Sequence, residues 1–360
     1  MADTEPDKTI SAHVGRALVA RIGIVTLVLA VLLAGTMCGA CVLGQYGPRP
    51  VRTLQILCRA LPTLVTGDPA ALSWEEEIIL HLRLPRVLLG AVVGALLAVA
   101  GTAFQGLLKN PLADPYIIGV SSGAAVGASI AIVLGLGAVA HGMGVPLLAF
   151  ATGLATVAFV YSLAQQGGRV PVESFLLAGV VVGAFMWSAV FFFMTVAARE
   201  RELMSVVFWL MGNLGGASWS TVVMIAPLAV VGPALIYLFA RDLNIMLLGE
   251  ESAVHLGVRV ERLKQIIIAL ASLVTAVAVA AAGIIGFVGF IVPHIMRRLV
   301  GPDHRILVPA AALGGAIFLI CADTLARIVI APSELPAGII TSLVGAPFFC
   351  HLLRKRRRAI

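Results

Sequence analysis

RDLNIMLLGEESAVHLGVRVERLK, residues 241–264, is a long polar stretch lying between two apolar runs, 219–240 and 265–283. Leu243, Leu247, Leu248, Val254, Leu256 and Val258 recur in it at roughly helical spacing, with Glu250, Glu251 and Arg259 between them. That pattern predicts folded helix. Gly249 and Gly257 divide it, because glycine ends a helix at little cost. Two short amphipathic helices are therefore expected at about 243–258. The flanking runs are long enough to cross a bilayer, which takes ~20 apolar residues. A helical pair held between two spans has two readings: a solvated loop, or a docking surface for a soluble partner.

Composition supports the membrane setting. The 360 residues are 60% hydrophobic and 12% charged, with a mean hydropathy of +1.04. Soluble domains run near ~25% charged residues. The chain is expected to be an all-α, polytopic membrane protein. The net charge of +7 then concerns which side of the membrane Lys and Arg occupy, and nucleic acid is not an expected partner. Five cysteines provide no disulfide framework. Cys38 and Cys41 are spaced C-x-x-C inside an apolar run, which favours packing over redox or metal chemistry. No metal site is expected.

Hydropathy predicts ten spans, at about 22–43, 86–107, 115–136, 145–166, 174–197, 219–240, 265–283, 286–300, 306–330 and 337–353. The eighth is short. Residues 22–43 exceed the ~7–15-residue core of a signal peptide and read as a retained span. An even number of spans puts both termini on one side, with tails at 1–21 and 354–360 around one transmembrane domain, 22–353. Placing the N-terminus in the cytoplasm assigns 17 of the 25 basic residues to that side, including Arg241, Arg259, Arg262, Lys264 and the RKRRR tail at 354–358. Positive charge concentrates on the cytoplasmic side, so the 241–264 island is expected there too.

Small residues line the spans: Gly119, Gly123 and Gly127 are spaced by four, supplemented by Gly90, Gly94 and Gly101. Such rows let helix backbones approach closely in lipid. Intramembrane charge is sparse. Asp323 and Arg327 stand four apart, where they can pair on one helix face. There is no buried relay of Asp, Glu or His, which counts against an ion-coupled secondary transporter. A membrane oxidoreductase using Cys38 and Cys41 lacks a second set of cofactor ligands. None of Lys8, Lys109, Lys264 and Lys355 follows a glycine, so a G-x-x-x-x-G-K-[ST] phosphate loop is excluded. Any ATP-driven step needs a separate polypeptide.

Seven motifs then occur in order: RLPR at 83–86 with the following run to residue 123, FLLAG at 175–179, FWLMGNL at 208–214, LGEESAVHLGV at 248–258, GFVGFIVPHIMRRLVGPDHR at 286–305, ADTLARI at 322–328 and ELPAGIITSLVGAPFF at 334–349. Together, over about residues 80–355, they resemble the permease subunits of bacterial ABC importers for iron chelates (siderophores), haem and vitamin B12. The resemblance implies a vitamin B12-importer-like fold of ten helices and a homodimer in the cytoplasmic (inner) membrane. It also implies two cytoplasmic ATPase subunits that bind ATP and Mg, and one extracytoplasmic substrate-binding protein. No cofactor is expected in this chain, and no enzymatic activity of its own.

The resemblance further implies residue roles. Arg83, Arg86 and Arg327 match positions that receive glutamates of the binding protein. Asn110 and Leu112 match positions that narrow the pathway at its cytoplasmic mouth. Val172 and Glu173 align with the other part of that gate, where a vitamin B12 permease carries small hydroxyl residues. Leu248, Gly249, Glu250, Glu251, Ala253, Leu256 and Gly257 match the coupling helices, with Ala253, Leu256 and Gly257 expected to pack into the ATPase. His294 and His304 are expected to be structural. His81 and His141 are outer residues, and the segment 44–82 has no assigned role.

Overall fold

The computed structural model describes residues 6–44, 49–66, 73–197 and 199–357. Among them the chain is helical, and its β-structure is one isolated bridge between Gln166 and Arg169. Fourteen main helices follow in order: α1 (Pro6–Val42), α2 (Pro50–Thr66), α3 (Trp74–Leu107), α4 (Val120–Val133), α5 (Gly144–Ala164), α6 (Val172–Val196), α7 (Glu200–Leu210), α8 (Trp219–Leu238), α9 (Ala240–Met246), α10 (Glu250–His255), α11 (Val260–Ala282), α12 (Val288–Val300), α13 (His304–Ile328) and α14 (Ala337–Arg357). Each of the ten expected spans has its helix here. Seven are long and apolar enough to cross a membrane by length and composition, while α4 and α12 are shorter, at 14 and 13 residues.

The differences from the expected boundaries have local causes. The second span starts at Trp74, twelve residues early, because a Ser73–Glu76 capping box opens the helix. The helix then widens to π geometry at Ile78–Arg83, just before Pro85, with the Leu84 N–H bonded to the Ile79 carbonyl. Proline lacks the N–H that would continue the ladder. The carbonyl of Leu80, left without that donor, accepts the indole N–H of Trp219 at 2.8 Å. The third span begins as a 3₁₀ turn at Pro115–Ile118, and helix α4 starts only at Val120. Amphipathic helices α2 and α7 lie outside the expected spans. The terminal residues 1–5 and 358–360 and residues 45–48 and 67–72 of the unassigned segment lie outside the described residues.

Helix α3 is the centre of the bundle. Gly94 lies directly against the Gly315 backbone of α13, and Gly101 against the Gly289 carbonyl of α12. At both places a side chain would separate the helices, so the small residues are required by backbone contact. Gly123 and Gly127 pack in the same way on Thr152 and Thr156 of α5. Gly119 also lies against Thr156, and with φ +86° it caps the start of α4. Gly106 of α3 meets His304 at one end of α13, and Arg86 meets Asp323 near the other. The two helices therefore run antiparallel and define two ends of the molecule, an island end and an arginine end.

Candidate functional site

At the arginine end, the chain leaves α1 with its last carbonyls unpaired, as every helix does. Two guanidinium groups fill them. Arg83 Nη1 donates to the carbonyls of Cys41 and Val42 at 2.6 and 3.2 Å. Arg327 Nη2 and Nη1 donate to those of Ala40 and Leu43 at 3.1 and 3.4 Å. Cations at a helix C-terminus also complement its dipole. Arg86 is held by Asp323 through Nε and Nη2, at 2.9–3.1 Å, and by Glu334 through Nη1 at 2.7 Å. Asp323 also pairs with Arg327 Nε at 3.3 Å, the four-residue pairing visible in the sequence.

Arg83, Arg86 and Arg327 are 7%, 8% and 5% exposed. The resemblance assigns all three to docking of the binding protein; here each guanidinium is turned inward. Their heads are committed to carbonyls and carboxylates inside the chain, because burying an unpaired charge is costly. The opening to solvent in this cluster is at Glu334, whose side chain is 46% exposed. Glu334 was not singled out from the sequence; its ion pair spans 248 positions.

At the island end, the loop after α3 is tightly bonded. Asn110 Oδ1 accepts the Leu112 N–H at 2.9 Å, the Asn110 N–H reaches the Gln105 carbonyl, and the Gln105 amide reaches the carbonyls of Ala113 and Phe290. Tyr116 joins this loop to the break between α11 and α12: its hydroxyl donates to the Ile285 carbonyl at 3.0 Å and accepts from the Ile285 N–H. Leu112 lines an open groove of about 500 Å³ with Asp114, Tyr116, Trp187, Phe287 and Phe349. Burial pushes the Asp114 carboxyl up to about 6, opposed by the hydrogen bond it accepts from the Tyr116 N–H. Val172 and Glu173 are not in this groove. They form the first turn of α6, beside a second open cleft lined by Arg169, Val170 and Pro171 on one side and residues of 250–264 on the other.

The island itself folds as two short helices, α9 and α10, separated at Gly249 (φ +116°) and ended at Gly257 (φ +85°). Left-handed backbone of this kind suits glycine. Leu243, Met246 and Ala253 point into the chain and are fully buried. Leu247, Leu248, Val254 and Leu256 are 44–67% exposed. Ala253 is thus corrected from a partner contact to a core residue, while Leu256 and Gly257 face open space. The island is anchored from two sides. Asn244 bonds Asp303 and the His304 N–H at the start of α13, and Lys264 bonds Glu250 at 2.9 Å. His304 is completely buried in that joint, in keeping with its structural reading, and His294 stacks edge-on against Phe348. His81 is exposed, and the side chain of His141 lies outside the described set. Among the described residues, no group of His, Cys, Asp and Glu could hold a metal ion. Cys41 is buried and Cys38 is exposed.

This architecture has clear relatives. The model of the FecCD transport family matches residues 31–355. The cobalamin import system permease protein BtuC of Halobacterium salinarum is 49% identical over 281 residues, covering 78% of this chain and 74% of that protein. The hemin transport system permease protein HmuU of Yersinia pestis is 40% identical over 332 residues, covering 91% and 96%. Among solved structures, a metal-chelate-type ABC transporter in an inward-facing conformation superposes with a TM-score of 0.80 at 30% identity, covering 92% of this chain and 99% of that one. With its multi-span helical bundle and a match over nearly its whole length, this chain is a membrane permease that belongs to the FecCD transport family.

Proposed function

We propose that this permease forms a homodimer that moves a bulky metal chelate (an iron siderophore, haem or a corrinoid) inward across the cytoplasmic membrane, driven by two separate ATPase subunits. The observation that carries this is the island end. There a rigid helical pair displays Leu247, Leu248, Val254 and Leu256 to solvent, while the sequence holds no phosphate-binding loop. Exposed apolar clusters of this kind mark protein contacts. ATP and Mg would bind to the partner, and this chain would supply the pathway and the mechanical link.

A second copy is supported by the open side of the groove. Trp187 and Phe349 belong to α6 and α14, which also expose Leu177, Phe185 and Leu343. Closing that side with another copy would enclose a pathway of aromatic walls, suited to the broad apolar faces of a large chelate. Asn110 and Leu112 would narrow its inner mouth, with Val172 and Glu173 at the adjoining start of α6. An extracytoplasmic binding protein would dock at the arginine end. Its carboxylates would reach Arg86 by replacing Glu334, the exposed member of the cluster, and not by meeting three free arginines. The charge bias toward the island end would place that end and both termini in the cytoplasm.

Reconstitution in liposomes with the cognate ATPase and binding protein tests this reading. ATP-dependent uptake is expected for one of a ferric siderophore, haem or cobalamin, matching the ligand that the binding protein retains. Uptake driven by a proton or sodium gradient without ATPase would instead establish a secondary transporter.

A further inference from the structure

The cleft between the island and the α5–α6 connection is about 780 Å³ and open, yet one buried side chain bridges its floor. Lys264 is 4% exposed. Its ammonium donates to Glu250 of α10 at 2.9 Å and to Glu261 of α11 at 3.1 Å. The other oxygen of Glu261 accepts the backbone N–H of Val170 at 3.1 Å. Val170 is itself buried, at 2% exposure, and stands immediately before Pro171 and the first turn of α6. A continuous polar chain thus runs from the island to the helix that carries Val172 and Glu173.

The chain is stiff at both ends. On the α6 side, residues 166–169 form a tight turn closed by reciprocal bonds between Gln166 and Arg169, with Gly167 and Gly168 both at positive φ. The closed two-residue turn keeps the connection short. Pro171 then fixes the entry into α6. On the island side, Glu250 opens α10 directly after Gly249. Pulling α10 away would strip a buried ammonium of one counter-charge. Pulling α11 away from the turn would leave the buried N–H of Val170 without an acceptor. Both are expensive, so the three elements move together.

We propose that Lys264 and Glu261 are positioning residues that form a strut carrying displacement of the island into the N-terminus of α6, and so into the inner gate. The proposal rests on the reading of 248–257 as the ATPase contact. Lys264 touches neither substrate nor nucleotide in this scheme; it acts through Glu250 and Val170.

The strut is tested in the reconstituted complex by Lys264→Met, which keeps the stem and removes the charge, and by Glu261→Gln, which keeps an acceptor and removes the charge. Both are expected to retain the ATPase partner and its hydrolysis. Substrate imported per ATP should fall by at least ~10-fold in Lys264→Met, equivalent to about 1.4 kcal/mol of lost coupling, and by less in Glu261→Gln. With the five native cysteines replaced by serine, thiol labelling of Glu173→Cys should depend on nucleotide and should lose that dependence when Lys264→Met is added. A wild-type transport ratio with nucleotide-dependent labelling, in whichever of the two variants assembles, overturns the strut. Gly257→Trp serves as the control for the underlying reading: if it uncouples while both strut variants behave as wild type, only the strut falls. If Gly257→Trp is also silent, the island is not the contact and both readings fall.

Discussion

Asp323 serves two guanidinium groups at once, and its side chain is only 4% exposed. Arg86 has Glu334 as a second anion, whereas Arg327 also donates to the neutral oxygens of Ala40, Leu43 and Thr324. Asp323→Asn keeps the shape and removes the charge. Breaking one side of a buried ion pair typically costs about 3–5 kcal/mol, because the remaining charge stays desolvated. The substitution should therefore lower the thermal midpoint of the detergent-solubilised protein clearly, and Glu334→Gln should lower it far less, since that group is half in solvent. Equal midpoints for the two variants would show that the Asp323 charge is not what holds the cluster together. A change in binding-protein affinity in Glu334→Gln with an unchanged midpoint would fit its role at the edge of the docking surface.

Helices α9 and α10 show how a short element is made rigid without length. Six or seven residues cannot hold a helix in water alone. These are held by buried Leu243, Met246 and Ala253, by Asn244 against α13, and by Glu250 against Lys264. The exposed faces are then free to meet a partner. At Gly257 a side chain would find nothing within 4 Å, so the cost of substitution is the backbone conformation at φ +85° and whatever docks there. Left-handed conformation costs an ordinary residue roughly 1–2 kcal/mol, too little to unfold the bundle. Gly257→Trp should give a folded permease whose ATPase partner hydrolyses ATP without responding to the loaded binding protein, and uptake should be lost. Wild-type uptake would remove this surface from the coupling path.

For the whole molecule, ten spans carry both termini to the island end if each helix crosses once. Helix α1 enters from that end, where Arg21 bonds the Val300 carbonyl at the close of α12, and α14 returns toward it with a basic tail. A tag after residue 360 and a tag before residue 1 should both be protease-accessible in inside-out vesicles and protected in right-side-out ones. Opposite protection of the two tags would mean an odd number of crossings, with α4 or α12, the two short helices, failing to span.

What the sequence determined by itself was the part of the fold that depends on local pattern. The ten apolar stretches, the division of the island at Gly249, the close-packing glycines Gly94 and Gly101 and the Asp323–Arg327 pair are all properties of residues a few positions apart, and hydrophobic period, backbone conformation and helix spacing act at that range. The tertiary structure decided which way the charged groups turn. Arg86 meets Asp323 across 237 positions, Arg83 and Arg327 cap α1, and Lys264 reaches Glu250 and, through Glu261, Val170. Glu261 and Lys264 could be paired from their three-residue spacing, but nothing local ties them to Val170, 91 positions away. A buried charge takes whatever partner the packing brings within ~3 Å, because the alternative is an unpaired ion in a low-dielectric interior. That choice is made by the contact of distant helices, so it is written in no single stretch of the chain.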